Sequence, residues 1–482
     1  MKIDATVRRR RDLMSQVIRC YMHDKLFPGL TLLPLKMVPR SSSSCTTFSE
    51  REKLRSRILP ILGVNPDAIR EEPEEILLDI RRFLKPKRNE GPLLTISTES
   101  CDGCPDGQVV VTDSCRGCEA ESCRTVCPRG AVSVVNGRSF IDQEACVSCG
   151  LCIRACRFSA IVKLEKPCRK VCPTNALSQD EQGIMHIDER KCIACGACYN
   201  SCPFGAVTPV SELRYVIDAL RTDRKVTAII APSFIGQYPG TMGQLITALK
   251  MLGFTSVYDV AVGADMIATA EAEEWKEAEE NGNLLLSSCC PAYQNFLSQR
   301  LSDLKPSVSH SPSPMVALAG HLKERDPRGD VVFIGPCIAK KDEARKTGCV
   351  DYVLTFEELG ALLVASAVDV QELEESAGFD RIPSSHARGF AISGGVLKAL
   401  SSLQKDGFPL DHGMRVEGFS CETVRMLKQA VTDETSFIEL MACEGGCING
   451  PGISCTSKIT RRKLLADIAE SDETGSAGKK RA

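Results

Sequence analysis

The stretch that decides how this chain reads is Cys192-Ile193-Ala194-Cys195-Gly196-Ala197-Cys198-Tyr199-Asn200-Ser201-Cys202-Pro203. Its spacing, C-x2-C-x2-C-x3-C closed by proline, takes three thiolates from one tight loop and leaves a fourth free to serve a second [4Fe–4S] cluster. Further back, Cys146, Cys149, Cys152 and Cys156 repeat the spacing. Cys115, Cys118, Cys123 and Cys127 repeat it with a longer middle gap, closed by Pro128. Structural zinc favours two separated C-x2-C pairs, so triplets closed by C-x3-C point to iron–sulfur clusters.

Of the 26 cysteines in 482 residues, 16 lie between Cys101 and Cys202. A secreted disulfide scaffold would be short and would carry a signal peptide. The opening MKIDATVRRRRDLMSQV has a basic run with no apolar segment behind it, and no run of 18 apolar residues is available to span a bilayer. The thiols therefore read as reduced metal ligands in a cytoplasmic protein. A net charge of −2 gives no reason to expect nucleic acid or a membrane surface. A single Trp argues against base-stacking platforms.

In bacterial ferredoxins the fourth cysteine of each run ligates the partner cluster. Crossing the first two runs in this way places one cluster at Cys115, Cys118, Cys123 and Cys156, and another at Cys146, Cys149, Cys152 and Cys127. Cys168 and Cys172-Pro173 look like the tail of a half-module lacking its first two cysteines, whereas Cys101-x2-Cys104 has no tail. One two-cluster ferredoxin inserted inside another uses every thiol. The third cluster then takes Cys192, Cys195, Cys198 and Cys172, and the fourth takes Cys101, Cys104, Cys168 and Cys202.

The expected organisation begins with a small helical N-terminal extension (1–95), with periodicity at Glu50–Val64 and Pro73–Leu84 and with Arg8–Arg11 as a solvated face. A nested, α+β ferredoxin-like block (96–209) follows, then an α/β domain of parallel sheets flanked by helices (210–470), then a disordered tail (471–482). In the α/β domain the apolar runs Val226–Ala231, Leu284–Leu286 and Val331–Ile334 alternate with helical stretches Met242–Leu252 and Met315–Lys323. Sites in such sheets lie beyond the C-terminal ends of strands, and Cys289-Cys290 and Cys337 follow two of these runs. Cys290, Cys337, Cys443 and Cys447 would make one more four-thiolate site from three loops. Gly445, Gly446, Gly450 and Gly452 would let the backbone approach a bulky cofactor.

Three motifs carry a resemblance: SSCCP (Ser287–Pro291), PCIAKKDE (Pro336–Glu343) and ELMACEGGC (Glu439–Cys447). Together they resemble the H-cluster loops of [FeFe]-hydrogenases, and with the ferredoxin block the likeness covers roughly residues 96–460. The resemblance implies a [4Fe–4S] cubane at Cys290, Cys337, Cys443 and Cys447. Cys447 would be shared with a diiron unit bearing CO, cyanide and a bridging dithiolate amine. Lys340 and Ser233 match the cyanide partners, and Phe390 and Met441 match apolar walls. Cys289 matches the thiol that relays a proton; Gly263-Ala264-Asp265 sets Glu271 and Glu274 at the carboxylate positions, and Ser309 at the relay serine. The implied reaction is 2H⁺ + 2e⁻ ⇌ H₂, with ferredoxin or a similar carrier as electron partner and maturation enzymes supplying the diiron unit.

The chain departs from the prototype at four places. Gly335 stands for a Met, Tyr293 for a Trp, Met315 for a pocket Gln, and Asn449-Gly450-Pro451-Gly452 replaces GGGQP, as in a less studied branch often called group B. The alternative class is a non-catalytic hydrogenase-like iron–sulfur protein, either a cluster assembly factor or an H₂ sensor. Assembly factors of this kind generally lack the relay cysteine and the 16-cysteine wiring, and no kinase or PAS-like signalling domain is evident here.

Overall fold

In the computed structural model of the chain, the described residues are 4–39, 44–66, 73–85, 88, 90–375, 378–403, 412–430 and 435–479. An apolar run such as Val331–Ile334 is stable as a strand only where both faces are covered. The strand Asp330–Gly335 is buried at every position and sits inside a four-stranded parallel sheet. The order across that sheet is Ser256–Asp259, Val226–Ile230, Asp330–Gly335, Tyr352–Thr355. A second parallel sheet has Phe437–Met441 between Leu285–Leu286 and Gly413–Glu417. Helices Met242–Met251 and Phe356–Ala365 begin with capping boxes, Thr241 with Gln244 and Thr355 with Glu358, so two orphan backbone donors at each start are satisfied locally.

Strand pairing in the cysteine-rich block is nested. Leu94–Ile96 pairs antiparallel with Val207–Pro209 and zips the two ends of the block together. Inside it, Val109–Val111 pairs with Ile161–Lys163 and encloses a hairpin, Val132–Val135 with Arg138–Ile141. A second hairpin, Leu177–Gln179 with Met185–Ile187, belongs to the outer layer. The inner ladder is therefore closed within the outer one.

The first 95 residues are helical over Ala5–Met22, Gly29–Met37, Ser44–Ile61 and Pro73–Leu78. They do not form a separate body. Leu13, Val17, Ile18, Leu30, Ile58 and Leu62 share one apolar core with the helix Phe356–Ala365 and the four-stranded sheet. The Arg8–Arg11 cluster is correspondingly split. Arg8 and Arg9 face solvent, whereas Arg10 and Arg11 turn inward onto Glu357. Arg10 donates to both Glu357 oxygens at 2.8 Å and Arg11 Nε donates at 2.9 Å. The expectation of a solvated face fails at these two residues because a buried carboxylate, 2% exposed, needs their charge.

The expected disordered tail is also corrected as far as Lys479: one helix runs Ser457–Lys479. Its first turns are packed, with Leu464 fully buried beside Ile392 and Ile448, and extending a nucleated helix costs little per residue. Residues 480–482 lie outside the described residues.

Replacing Glu357 with Ala leaves Arg10 and Arg11 desolvated without a counter-charge, a class of change that costs about 3–5 kcal/mol. Anaerobic thermal unfolding of Glu357→Ala should therefore show a clear drop in Tm. Glu357→Gln, which keeps the shape and the Tyr199 contact, should fall between it and wild type.

Candidate functional site

The sheets bring the three C-terminal motifs together because each follows a parallel strand at the same end. Cys289 and Cys290 follow Leu285–Leu286, Cys337 follows Asp330–Gly335, and Cys443 and Cys447 follow Phe437–Met441. Ser233 follows Val226–Ile230 in the same way. Cys289, Cys290, Cys337 and Cys447 line one cavity, with Ser233, Lys340, Met315, Phe390 and Met441 in its wall. Cys443 lies close by, and the charges it feels most are those of Cys337, Cys290 and Cys447, followed by Cys195.

Burial dominates the chemistry here. It pushes the Cys337 thiol up to about 11 and the Cys447 thiol to about 12, with mutual repulsion among the thiolates adding to the effect. Cys290 is raised by burial although the backbone N–H groups of Tyr293 and Ala442 favour its anion. Left alone, these groups stay protonated, and coordination to a cation is what would ionise them. Two polar groups in the wall suit an anionic ligand. Ser233 Oγ is fully buried with no protein partner. Lys340 Nζ donates to Ser313 Oγ at 2.9 Å, to Glu343 at 2.7 Å and to the Cys289 carbonyl at 3.3 Å. An unpartnered hydroxyl and an ammonium set in an otherwise apolar wall fit a cofactor that carries its own acceptors.

One departure from the prototype has a physical reason. A Cβ on Gly335 would meet the Phe333 ring at 2.5 Å; Phe333 is itself a wall residue, so an aromatic ring takes the space a longer residue 335 would need. Two of the glycines expected to admit a cofactor are also required by the chain's own packing. A Cβ on Gly446 would lie 2.6 Å from Ser393 N, and one on Gly450 would lie 2.8 Å from Pro336, whereas one on Gly445 would meet no atom of the chain within 4 Å.

Cys289 lines the cavity on the side of Glu271. Its thiol is pushed well up, by burial first and then by Glu271. Glu271 is 0% exposed, and both its oxygens lack a well-formed hydrogen bond. Burial holds its carboxyl up at about 7, with the Ser288 backbone N–H opposing and the Glu274 charge reinforcing the shift. Glu274 is partly exposed and accepts from Ser311 Oγ at 3.0 Å and from His310 N at 2.9 Å. Its neighbours Glu273 and Glu277 face solvent, so the i, i+3 pair is the inward one. Ser309, expected as the relay serine, is buried, and its Oγ accepts from Ser311 N at 3.1 Å; the hydroxyl that bonds Glu274 is that of Ser311.

In the cysteine-rich block, Cys101, Cys104, Cys168 and Cys202 surround one cavity. Cys172, Cys192, Cys195 and Cys198 surround another. In the inner ladder, Cys115 and Cys123 both reach Ser139, by N–H···S at 3.5 Å and by S···O at 3.3 Å. Cys146 and Cys149 are the thiols whose charge bears on Cys152. Among the described residues no three His, Cys, Asp or Glu converge closely enough for a single metal ion; the thiols stand around spaces instead.

A local signal escaped the reading of the sequence. Each closing cysteine has a left-handed residue three positions on: Gly130, Ser159, Asn175 and Gly205, with φ of 62°, 50°, 52° and 63°. A buried alanine comes next: Ala131, Ala160, Ala176 and Ala206. That turn aims an N–H back at sulfur, as Ala160 to Cys156 at 3.4 Å, Ala176 to Cys172 at 3.2 Å and Ala206 to Cys202 at 3.4 Å. The opening loops repeat too. The second residue after Cys115, Cys146 and Cys192 is left-handed (Gly117, Ser148, Ala194), and so is Gly103 after Cys101. Positive φ at Ser148 and Ala194 is strained backbone that the surroundings must hold in place. The Cys101–Cys104 loop shares this geometry with the three complete runs.

Comparison with known proteins agrees with this geometry. Residues 224–451 match the model of the iron only hydrogenase large subunit, C-terminal domain. Residues 140–162 match a 4Fe-4S binding domain, and residues 162–213 match the LdpA Fe-S cluster-binding domain. Iron hydrogenase 1 of Clostridium pasteurianum is 27% identical over 399 residues, covering 69% of this chain and 68% of that one. The NADP-reducing hydrogenase subunit HndD of Solidesulfovibrio fructosivorans is 28% identical over 414 residues, 70% of this chain and 62% of that one. The cytosolic Fe-S cluster assembly factor NAR1 of Kluyveromyces lactis is 26% identical over 261 residues, 39% of this chain and 56% of that one. The chain is thus similar to iron–sulfur proteins in which ferredoxin-like 4Fe-4S domains are joined to a hydrogenase domain. More particularly, it is an [FeFe]-hydrogenase-like protein. No helix among the described residues is long and apolar enough to cross a membrane.

Two measurements check the site. Iron determined after anaerobic reconstitution should fall by one cluster's share in Cys104→Ala, whereas an unchanged content removes Cys104 from the ligand set. An infrared pH titration should show a protonated Glu271 carboxyl band that fades as pH rises through about 7 and is missing in Glu271→Gln. The sign for stability follows. With its native value raised from 4.5 to about 7, Glu271 contributes stability that is present below pH 4.5 and lost as pH rises towards 7.

Proposed function

We propose that the chain interconverts H₂ with protons and electrons. The observation that carries this reading is the wall of the cavity beside Cys290, Cys337 and Cys447. It combines a thiol (Cys289), an ammonium (Lys340) and a partnerless buried hydroxyl (Ser233) with an otherwise apolar lining. Cys290, Cys337, Cys443 and Cys447 would hold a [4Fe–4S] cubane, with Cys447 shared with a diiron unit bearing CO, cyanide and a bridging dithiolate amine. When bound, that unit supplies the metal centre at which H₂ is formed or split.

The chain's own residues do the rest. Ser233 presents a free hydroxyl donor to the anionic ligands, and Lys340, whose three N–H groups are taken by Ser313, Glu343 and the Cys289 carbonyl, faces them as a positive charge. Met315, Phe390 and Met441 keep water from the cavity. Cys289 holds a proton at Sγ, within reach of Glu271 at the start of a route through Glu274 and Ser311 to the surface at His310. A carboxyl held at about 7 can both take and give a proton near neutral pH. Electrons travel by the thiol clusters of residues 101–202, four in number on this reading, to ferredoxin or a similar carrier, and maturation enzymes would install the diiron unit.

The second reading is a non-catalytic hydrogenase-like iron–sulfur protein, favoured by the likeness to NAR1. The two readings part at one experiment. Chain matured anaerobically with the diiron unit should show CO and cyanide infrared bands and evolve H₂ from a reduced donor; absence of both after full maturation leaves the second reading. Cys289→Ala should keep the bands and lose turnover by about 10²-fold or more, the scale of a positioned proton-transfer group. Ser311→Ala should slow turnover more than Ser309→Ala does.

A further inference from the structure

Lys166 is buried, 1% exposed, and its ammonium has no carboxylate within ion-pair distance among the described residues. Its one hydrogen bond is to the Gly183 carbonyl at 2.6 Å. An ammonium taken out of water with donors unspent is strongly unfavourable unless a negative charge lies beside it. The side chain lines the cavity of Cys101, Cys104, Cys168 and Cys202. Gly183, which receives its hydrogen bond, packs against Gly103 between the first two of these cysteines. A second cation approaches from the N-terminal helices. Arg57 donates to Ser100 Oγ at 3.1 Å and to the Phe204 carbonyl, and Cys202 is the anion that most favours its charge. The one acid at the cavity, Asp102, is exposed and screened by water. The neighbouring cavity of Cys172, Cys192, Cys195 and Cys198 has no charged residue in its wall.

We propose that Lys166 is a potential-setting residue. As the buried counter-charge of the cluster at Cys101, Cys104, Cys168 and Cys202, it makes that cluster the higher-potential member of the outer pair. This rests on the four-cluster reading above. A fixed positive charge stabilises the reduced cluster, which is more negative by one electron, and so raises the midpoint potential. The cluster sits at a junction. Lys166 follows the neck of the inserted ladder, where Gly107 N bonds the Leu164 carbonyl. On the other side Cys168 is among the thiols felt by Cys198, and Cys195 is among those felt by Cys443. One electron enters from a reduced cluster of the inserted module and leaves to the next cluster, with no bond made or broken. A raised potential at this station holds the electron between the inserted module and the clusters nearer the hydrogenase cavity.

The test is an EPR-monitored redox titration of the anaerobically reconstituted full-length chain, with iron determined in each variant. Cys104→Ala and Cys195→Ala identify the two outer components by their loss. The component missing in Cys104→Ala should titrate at the higher potential, shift downward in Lys166→Met and stay in place in Lys166→Arg, while the other components do not move. The opposite ordering in wild type would overturn the proposal, and so would Lys166→Met with full iron and an unmoved potential. If Lys166→Met loses its cluster, the wild-type ordering still decides. Full iron in Cys104→Ala would overturn both the proposal and the four-cluster reading, whereas an unmoved potential in fully loaded Lys166→Met would leave that reading standing.

Discussion

Glu357 is where three parts of the chain are fastened together. Its carboxylate accepts from Arg10 and Arg11 of the first helix and from the hydroxyl of Tyr199 at 2.7 Å. Tyr199 directly follows Cys198, so the pair fixes a cluster loop against the helix Phe356–Ala365. Arg10 also lies 3.8 Å from the Tyr199 ring centroid, and Arg11 holds the Ile453 and Ser454 carbonyls at 3.0 Å. A carboxylate this deeply buried is tolerable only when fully paired. The N-terminal helices, the cluster loop and the segment after Cys447 are therefore placed together or not at all.

That placement has a consequence for the clusters. With the Tyr199 loop fixed, Cys195 comes close enough to Cys443 and Cys337 for their charges to bear on one another. On the proposed function, electrons and protons would reach the site by different approaches. The buried carboxyl of Glu271 is followed by the partly exposed one of Glu274, a gradient from dry to wet along a single helix, Ala261–Glu280. The closing cysteines of the cysteine-rich block take N–H···S partners from a repeated left-handed turn.

Some contacts lie beyond what local spacing can specify. Ser309 and Ser311 are two residues apart and both buried, and spacing cannot tell which hydroxyl meets Glu274. Arg10 and Arg11 sit in a run of four arginines, and only the helix phase against Glu357 separates them from Arg8 and Arg9. Gly446 and Gly450 make room for Ser393 and Pro336, a requirement that no local motif announces. In each case the deciding partner is more than a hundred residues away or on another element.

What the sequence determined by itself was whatever short-range geometry dictates. The three-in-a-loop cysteine spacing, the continuous apolar runs that must be buried strands, and the placement of Cys290 and Cys337 just past such runs were all legible, because each depends on residues within one turn or one strand. The nesting of one ladder inside another was legible from counting thiols, since three complete runs and two fragments combine in few ways. Tertiary structure alone decided which of two serines bonds Glu274, which arginines turn inward onto Glu357, and that Lys166 lies without an ion-pair partner, among the described residues, beside one thiol set and not the other. Those are questions of charge and contact across distant segments. Burial sets the cost of each charge, and burial is a property of the folded chain.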